Sequence, residues 1–155
     1  MHGDPSALED HLGYWLRCLS NFVSHTFAAR LEKQGLSVAQ WVVLRALYDA
    51  RGATLNDLAA QVGVDKSALS RMIDRLVRKG WVDRQEGADR RSLGLKLTAA
   101  GRKTVINAAI QADQNDAAFF QTLSRKERSE FLSTIRQLLA ANGWDPSKRG
   151  RDRME

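Results

Sequence analysis

The chain has 155 residues, 43% hydrophobic and 27% charged, the make-up of one ordinary globular domain or two small lobes with enough apolar material for a core. Its net charge of +6 is concentrated: residues 54–103 hold eleven Lys and Arg against six Asp and Glu, a surplus of five that leaves the rest of the chain nearly neutral. No uncharged apolar run approaches the roughly 18 residues needed to cross a bilayer, so a membrane-spanning protein is excluded, and a lone Cys18 excludes an internal disulfide.

The opening MHGDPSALED lacks the basic-then-apolar pattern of a signal peptide, and the expected setting is a reducing cytosol. From residue 7 to residue 33, Leu8, Leu12, Trp15, Leu16, Leu19, Val23 and Phe27 recur three and four apart, which predicts one long amphipathic helix ending near Gly35. Ser37 with Gln40 three residues later forms a capping box for a second helix that runs to Gly52. Thr54 and Asp57 open a short third helix, LNDLAAQV, stopped by Gly63, a residue free to take the positive φ of a sharp reversal. Asp65 caps the fourth helix.

The fourth helix, KSALSRMIDRLVRKG, separates its faces. Leu69, Met72, Ile73, Leu76 and Val77 form an apolar stripe, and Lys66, Ser67, Ser70, Arg71, Asp74, Arg75 and Arg78 form a polar, mostly cationic one. A short helix, a tight turn and a second helix with a cationic face is the helix-turn-helix arrangement, whose second helix fits the major groove of B-DNA. After Gly80, the runs WVDRQ and LGLKL alternate as two strands of a hairpin, joined by EGADRRS. Arg90 and Arg91 sit at the tip of that loop. Guanidinium groups suit the enhanced negative potential of a narrow minor groove, and Asp89, two residues from Arg91, is placed to accept its N–H groups and fix its direction.

Together, Arg71-Met-Ile-Asp-Arg75-Leu-Val-Arg-Lys-Gly80-Trp-Val-Asp-Arg84, then Asp89-Arg90-Arg91, then Leu97-Thr98 resemble the MarR family of bacterial transcriptional regulators. The resemblance extends over about residues 8 to 145. It implies a mainly α winged helix-turn-helix with a two-stranded wing, an obligate homodimer and a palindromic DNA operator, often repressed until a small ligand releases the protein. It also implies that Ser67, Ser70, Arg71 and Arg75 face the major groove and Arg91 the minor groove.

Thr98 opens a fifth helix carrying Val105, Ile106, Ala109 and Ile110, and Ser124 with Glu127 caps a sixth carrying Phe131, Leu132, Ile135, Leu138 and Leu139. The first, fifth and sixth helices are more apolar than a small DNA-binding lobe can cover, which points to a dimer interface, an intrachain three-helix core being the alternative. The expected organisation is a helical dimerisation region from 7–36 and 104–143, a winged helix-turn-helix lobe over 37–103, and a disordered basic tail over 144–155.

Catalysis finds no support. His2, His11 and His25 are the only histidines, and no Gly-x-Ser-x-Gly, HExxH, phosphate-binding loop or paired CxxC occurs. His11, Cys18 and His25 recur every seven residues, about 10 Å apart along a helix and too far for one tetrahedral metal, so no cofactor is expected. For the input signal, the family resemblance places a pocket between the dimer helices and the DNA-binding lobe. Tyr14, Trp15, Arg17, Ser24, His25, Trp41 and Arg45 are the candidates there, offering stacking surfaces and a carboxylate partner to a small aromatic acid or phenol. Oxidation is the competing signal. Peroxide-sensing members of the family carry a cysteine near the start of the first helix; Gly13 stands at about that position here, and Cys18 lies more than a turn deeper. A winged-helix module that binds protein instead of DNA is the remaining alternative.

Overall fold

The computed structural model describes residues 4–85 and 94–144. Six α-helices surround a small antiparallel sheet: α1 (Leu12–Glu32), α2 (Val38–Ala50), β1 (Ala53–Thr54), α3 (Leu55–Val62), α4 (Lys66–Arg78), β2 (Val82–Gln85), β3 (Gly94–Leu97), α5 (Ala99–Phe119) and α6 (Arg125–Ala141). The helix starts follow local chemistry. Ser37, Thr54, Thr98 and Ser124 each accept a backbone N–H three residues on, and Ser37 and Ser124 complete reciprocal capping boxes with Gln40 and Glu127.

One expectation is corrected and one is extended. The first helix is not continuous from residue 7: Leu8–Asp10 form a single 3₁₀ turn, His11 is extended, and α1 begins at Leu12. The Asp10 side chain accepts from Ala7 N and the Trp15 indole donates to Glu9 O at 2.8 Å, so side-chain bonds hold a separate turn where the apolar spacing alone reads as helix. The expected two-stranded wing is β2–β3, and a third strand joins it in the order β1-β3-β2, because Ala53 and Thr54 pair with Leu95 and Gly94. Two residues cannot display an alternating pattern, and their pairing is visible only once the hairpin is in place.

Leu44 and Leu47 of α2, Leu58 of α3, Leu69, Ile73 and Leu76 of α4, Val82 and Leu95 all lie in one buried core at 3% exposure or less. Each large aliphatic side chain so buried contributes roughly 1.5 to 3 kcal/mol of transfer free energy, which makes α2–α4 and the sheet one rigid lobe. Leu31, Val105 and Ala108 join α1 and α5 to that core, and Asn115 of α5 donates across to Val23 O of α1 at 3.4 Å.

The outer helices are different. α6 buries no residue, and Leu12 (69% exposed), Phe22 (68%), Trp15, Leu16, Ile106, Ile110, Leu132, Leu138 and Leu139 all remain exposed on α1, α5 and α6. The intrachain three-helix core is therefore not formed. Among the described residues no helix is long and apolar enough to cross a membrane.

Candidate nucleic-acid interface

The turn from α3 into α4 occupies three residues. Gly63 takes φ +75° and donates to Ala59 O at 2.8 Å, Val64 follows, and Asp65 caps α4 with one carboxylate oxygen that accepts from Ser67 N at 3.0 Å and Ala68 N at 3.1 Å. The Ser67 hydroxyl also donates to that oxygen, so this serine orients the cap as well as standing on the outer face. These bonds, the Ser67 hydroxyl first, hold the Asp65 carboxyl below the usual carboxylate range. A lowered folded-state pKa stabilises the fold above the unfolded value of about 4 and is lost as pH falls through the folded one. The stability gap between wild type and Asp65→Asn should thus be full at neutral pH and shrink in thermal melts below about pH 4; a gap constant down to pH 2 would refute the charged cap.

With Leu69, Ile73 and Leu76 sealed inward at 0% exposure, helical geometry turns Lys66, Ser67, Arg71, Arg75 and Arg78 outward, all exposed, with Ser70 half-buried at the edge. Among the described residues none of these four cations is in an ion pair. The one acid on this face is engaged elsewhere, since Asp74 pairs with Arg84 of β2 and ties α4 to the base of the hairpin. The result is a convex cationic helix face of the width a major groove accepts. The hairpin register, Val82↔Leu97 through Gln85↔Gly94, carries the chain outward beside α4. Asp89, Arg90 and Arg91 lie outside the described residues.

The junction between the hairpin and α5 rests on a residue that sequence reading treats only as part of a helix start. Gly101 is buried against the Trp81 carbonyl, and a Cβ built there would stand 2.0 Å from that oxygen. Thr98 closes the same junction, its hydroxyl donating to Gly80 O at 2.6 Å and accepting from Gly101 N at 2.9 Å. No sequence spacing signals this approach, because the partners are twenty residues apart and meet only through the hairpin.

Among the described residues, the seven ligand candidates are spread along α1 and α2. Tyr14 packs edge-on to Trp15 with ring centroids 5.2 Å apart, and a hydrogen bond with Cys18 raises its phenol above the ordinary pKa. Arg17, Ser24 and His25 are exposed on α1, with His25 roughly 16 Å beyond Tyr14 along the helix axis. Trp41 stands edge-on to Phe27 at 6.2 Å, and Arg45 pairs with Asp49 while lying 5.5 Å from the Tyr48 ring. A cleft of about 420 Å³ between the end of α1 and the start of α2 is lined by Ala28, Glu32, Leu36, Val38 and Gln40, and one of about 380 Å³ between α5 and α6 by Phe120, Leu123, Phe131 and Ile135. None of the seven lines either cleft.

Comparison with known proteins agrees with this geometry. A family model described as MarR family matches residues 36–93. The transcriptional regulator HosA of Escherichia coli is 31% identical over 134 residues, covering 86% of this chain and 98% of that protein. Among solved structures, a mutant MarR from E. coli complexed with operator DNA superposes with a TM-score of 0.72 at 26% identity, over 83% of this chain and 93% of that one. The structure describing regulation of DNA binding of Bordetella bronchiseptica BpsR by 6-hydroxynicotinic acid does so with a TM-score of 0.74 at 26% identity, over 88% and 99%. The chain, with its capped α3–α4 pair, cationic outer face and adjoining hairpin, is a DNA-binding transcriptional regulator, not an enzyme, and belongs to the MarR family.

Proposed function

We propose that the protein is a cytoplasmic homodimeric repressor that binds a palindromic operator and is released by a small aromatic acid or phenol. The observation that carries the dimer is the uncovered apolar surface of α1, α5 and α6, with α6 burying nothing within its own chain. A helix pair of this kind is stable in water only when a second surface covers it, and a two-fold partner presents the same surface in return. One recognition helix per chain then becomes two, related by symmetry. Lys66, Ser67, Ser70, Arg71 and Arg75 read the major groove, Arg78 approaches the backbone, and the Asp89–Arg91 tip serves the flanking minor groove.

The ligand reading is supported by the regulation that the BpsR structure describes. Trp41 and Arg45 lie on α2 within the lobe and Ser24 and His25 toward the end of α1 that leads into it, while Tyr14, Trp15 and Arg17 lie toward the other end of α1. A ligand moves the dimer off DNA only by preferring a spacing of recognition helices that does not match successive grooves, and about 1 to 3 kcal/mol of coupling gives roughly 5- to 150-fold release.

Light scattering should give a dimer at micromolar concentration, and selection from genomic fragments should return half-sites about 10 to 10.5 base pairs apart, centre to centre. A monomer would overturn the assembly. A panel of benzoates, phenols and hydroperoxides should release DNA through the aromatics equally in wild type and Cys18→Ser. Release by peroxide alone, abolished in the serine variant, would replace the ligand with oxidation.

A further inference from the structure

Lys79 belongs to the basic central segment, yet its ammonium is turned away from the recognition face. It follows Arg78 as the C-cap of α4 and donates to the Gly35 carbonyl in the turn between α1 and α2, forty-four residues earlier. The same nitrogen lies 3.5 Å from Gln40 Oε1, the oxygen that also accepts from Ser37 N in the capping box of α2. It stands 4.6 Å from the centroid of the Trp81 ring, at the start of the hairpin.

We propose that Lys79 is a positioning residue that holds the recognition helix and hairpin at a set angle to the α1–α2 elbow, and so sets how accurately the helix meets base edges. The proposal rests on the DNA-binding function of the family. Three contacts, from the α1–α2 turn, the α2 cap and the hairpin start, converge on one ammonium at the point where α4 gives way to the hairpin. The turn it grips joins the outer helix α1 to the lobe, so the tie links the element outside the lobe to the element that reads DNA. A single exposed ion contact would orient little, since solvent competes for it. An ammonium held by a carbonyl, an amide oxygen and an aromatic face together has few alternative placements. Lys79 also differs from its neighbour Arg78, whose guanidinium makes no ion pair among the described residues and stays available to phosphates.

The test compares wild type, Lys79→Met and Lys79→Arg by duplex titration across a salt series, on the selected operator and on random DNA, with amide hydrogen exchange of residues 34–40 in the free protein. Lys79→Met should weaken operator binding about tenfold, leave random-duplex affinity and its salt slope unchanged, and speed exchange in the α1–α2 turn. Lys79→Arg, which keeps a donor and a cation over Trp81, should restore most of the operator affinity. Parallel loss on operator and random DNA, with the salt slope reduced by about 2 per dimer, would make Lys79 a phosphate contact and overturn the proposal. Unchanged operator affinity in Lys79→Met would overturn it equally. A wild-type protein that binds no duplex would instead defeat the DNA-binding premise, and the exchange measurement would still decide whether the tie exists.

Discussion

Gly101→Ala should lower the melting temperature by about 6 to 12 °C, the effect of roughly 3 kcal/mol on a chain of this size. Alanine is ordinarily the better helix former by about 1 kcal/mol, so the expected sign is opposite to propensity. The reason is the 2.0 Å separation between a Cβ at position 101 and the Trp81 carbonyl oxygen, a backbone atom that no side-chain rotation can move aside. Relief requires α5 to shift away from the hairpin, which opens the Thr98 bonds to Gly80 and Gly101 and disturbs the base of β2. Operator affinity should fall with stability, and more than in Thr98→Ala, which loses a cap worth about 1 kcal/mol without a collision. Differential scanning calorimetry of the two variants checks the order; a Gly101→Ala protein as stable as wild type would mean that the close approach is absent in solution.

Arg71→Ala should cost about 1 to 3 kcal/mol in each half-site of the selected operator and relax the preference at one base position there. In a symmetric dimer both half-sites lose the contact, so if the two losses add, the combined weakening is on the order of 30-fold to 10,000-fold. Its expected partner in the comparison is Arg78→Ala, at the far end of the same helix, which should weaken operator and random duplex nearly alike and lower the salt slope, as loss of a phosphate contact does. Both arginines are exposed and outside any ion pair among the described residues, so neither substitution leaves a buried acid behind and folding should be unaffected. Fluorescence anisotropy on operator and random duplexes separates the two. Equal losses for Arg71→Ala on both DNAs would remove it from base reading.

Both variants test a face that was legible in the sequence, because an amphipathic helix announces itself through spacing alone. Leu69, Ile73 and Leu76 recur at three and four, and burying them decides where Arg71 and Arg75 must point. The helix starts were legible for a similar reason: a cap is a contract between residues three apart, so Ser37 with Gln40, Asp65 with Ala68 and Ser124 with Glu127 need nothing from the rest of the molecule. Apolar spacing also located α1, α5 and α6, but spacing does not say whose surface covers a stripe. Only the folded chain shows that Leu12, Phe22 and Leu132 stay uncovered within it.

What the tertiary structure alone decided depends on residues distant in sequence. Ala53 and Thr54 become a strand because β3 arrives forty residues later to pair with them, and two residues carry no period of their own. Lys79 looks like one more cation of a basic segment until the α1–α2 turn is folded beside it, and Gly101 looks like an indifferent helix residue until the Trp81 carbonyl closes on it. Asp74, an apparent misfit on a cationic face, is accounted for by Arg84 across the α4–β2 junction. Local capping and periodicity act over three or four residues and are written in the sequence at that range. The angle between recognition helix, hairpin and outer helices is set by contacts ten to forty-four residues apart, which exist only once the core of α2, α3 and α4 has brought those segments together.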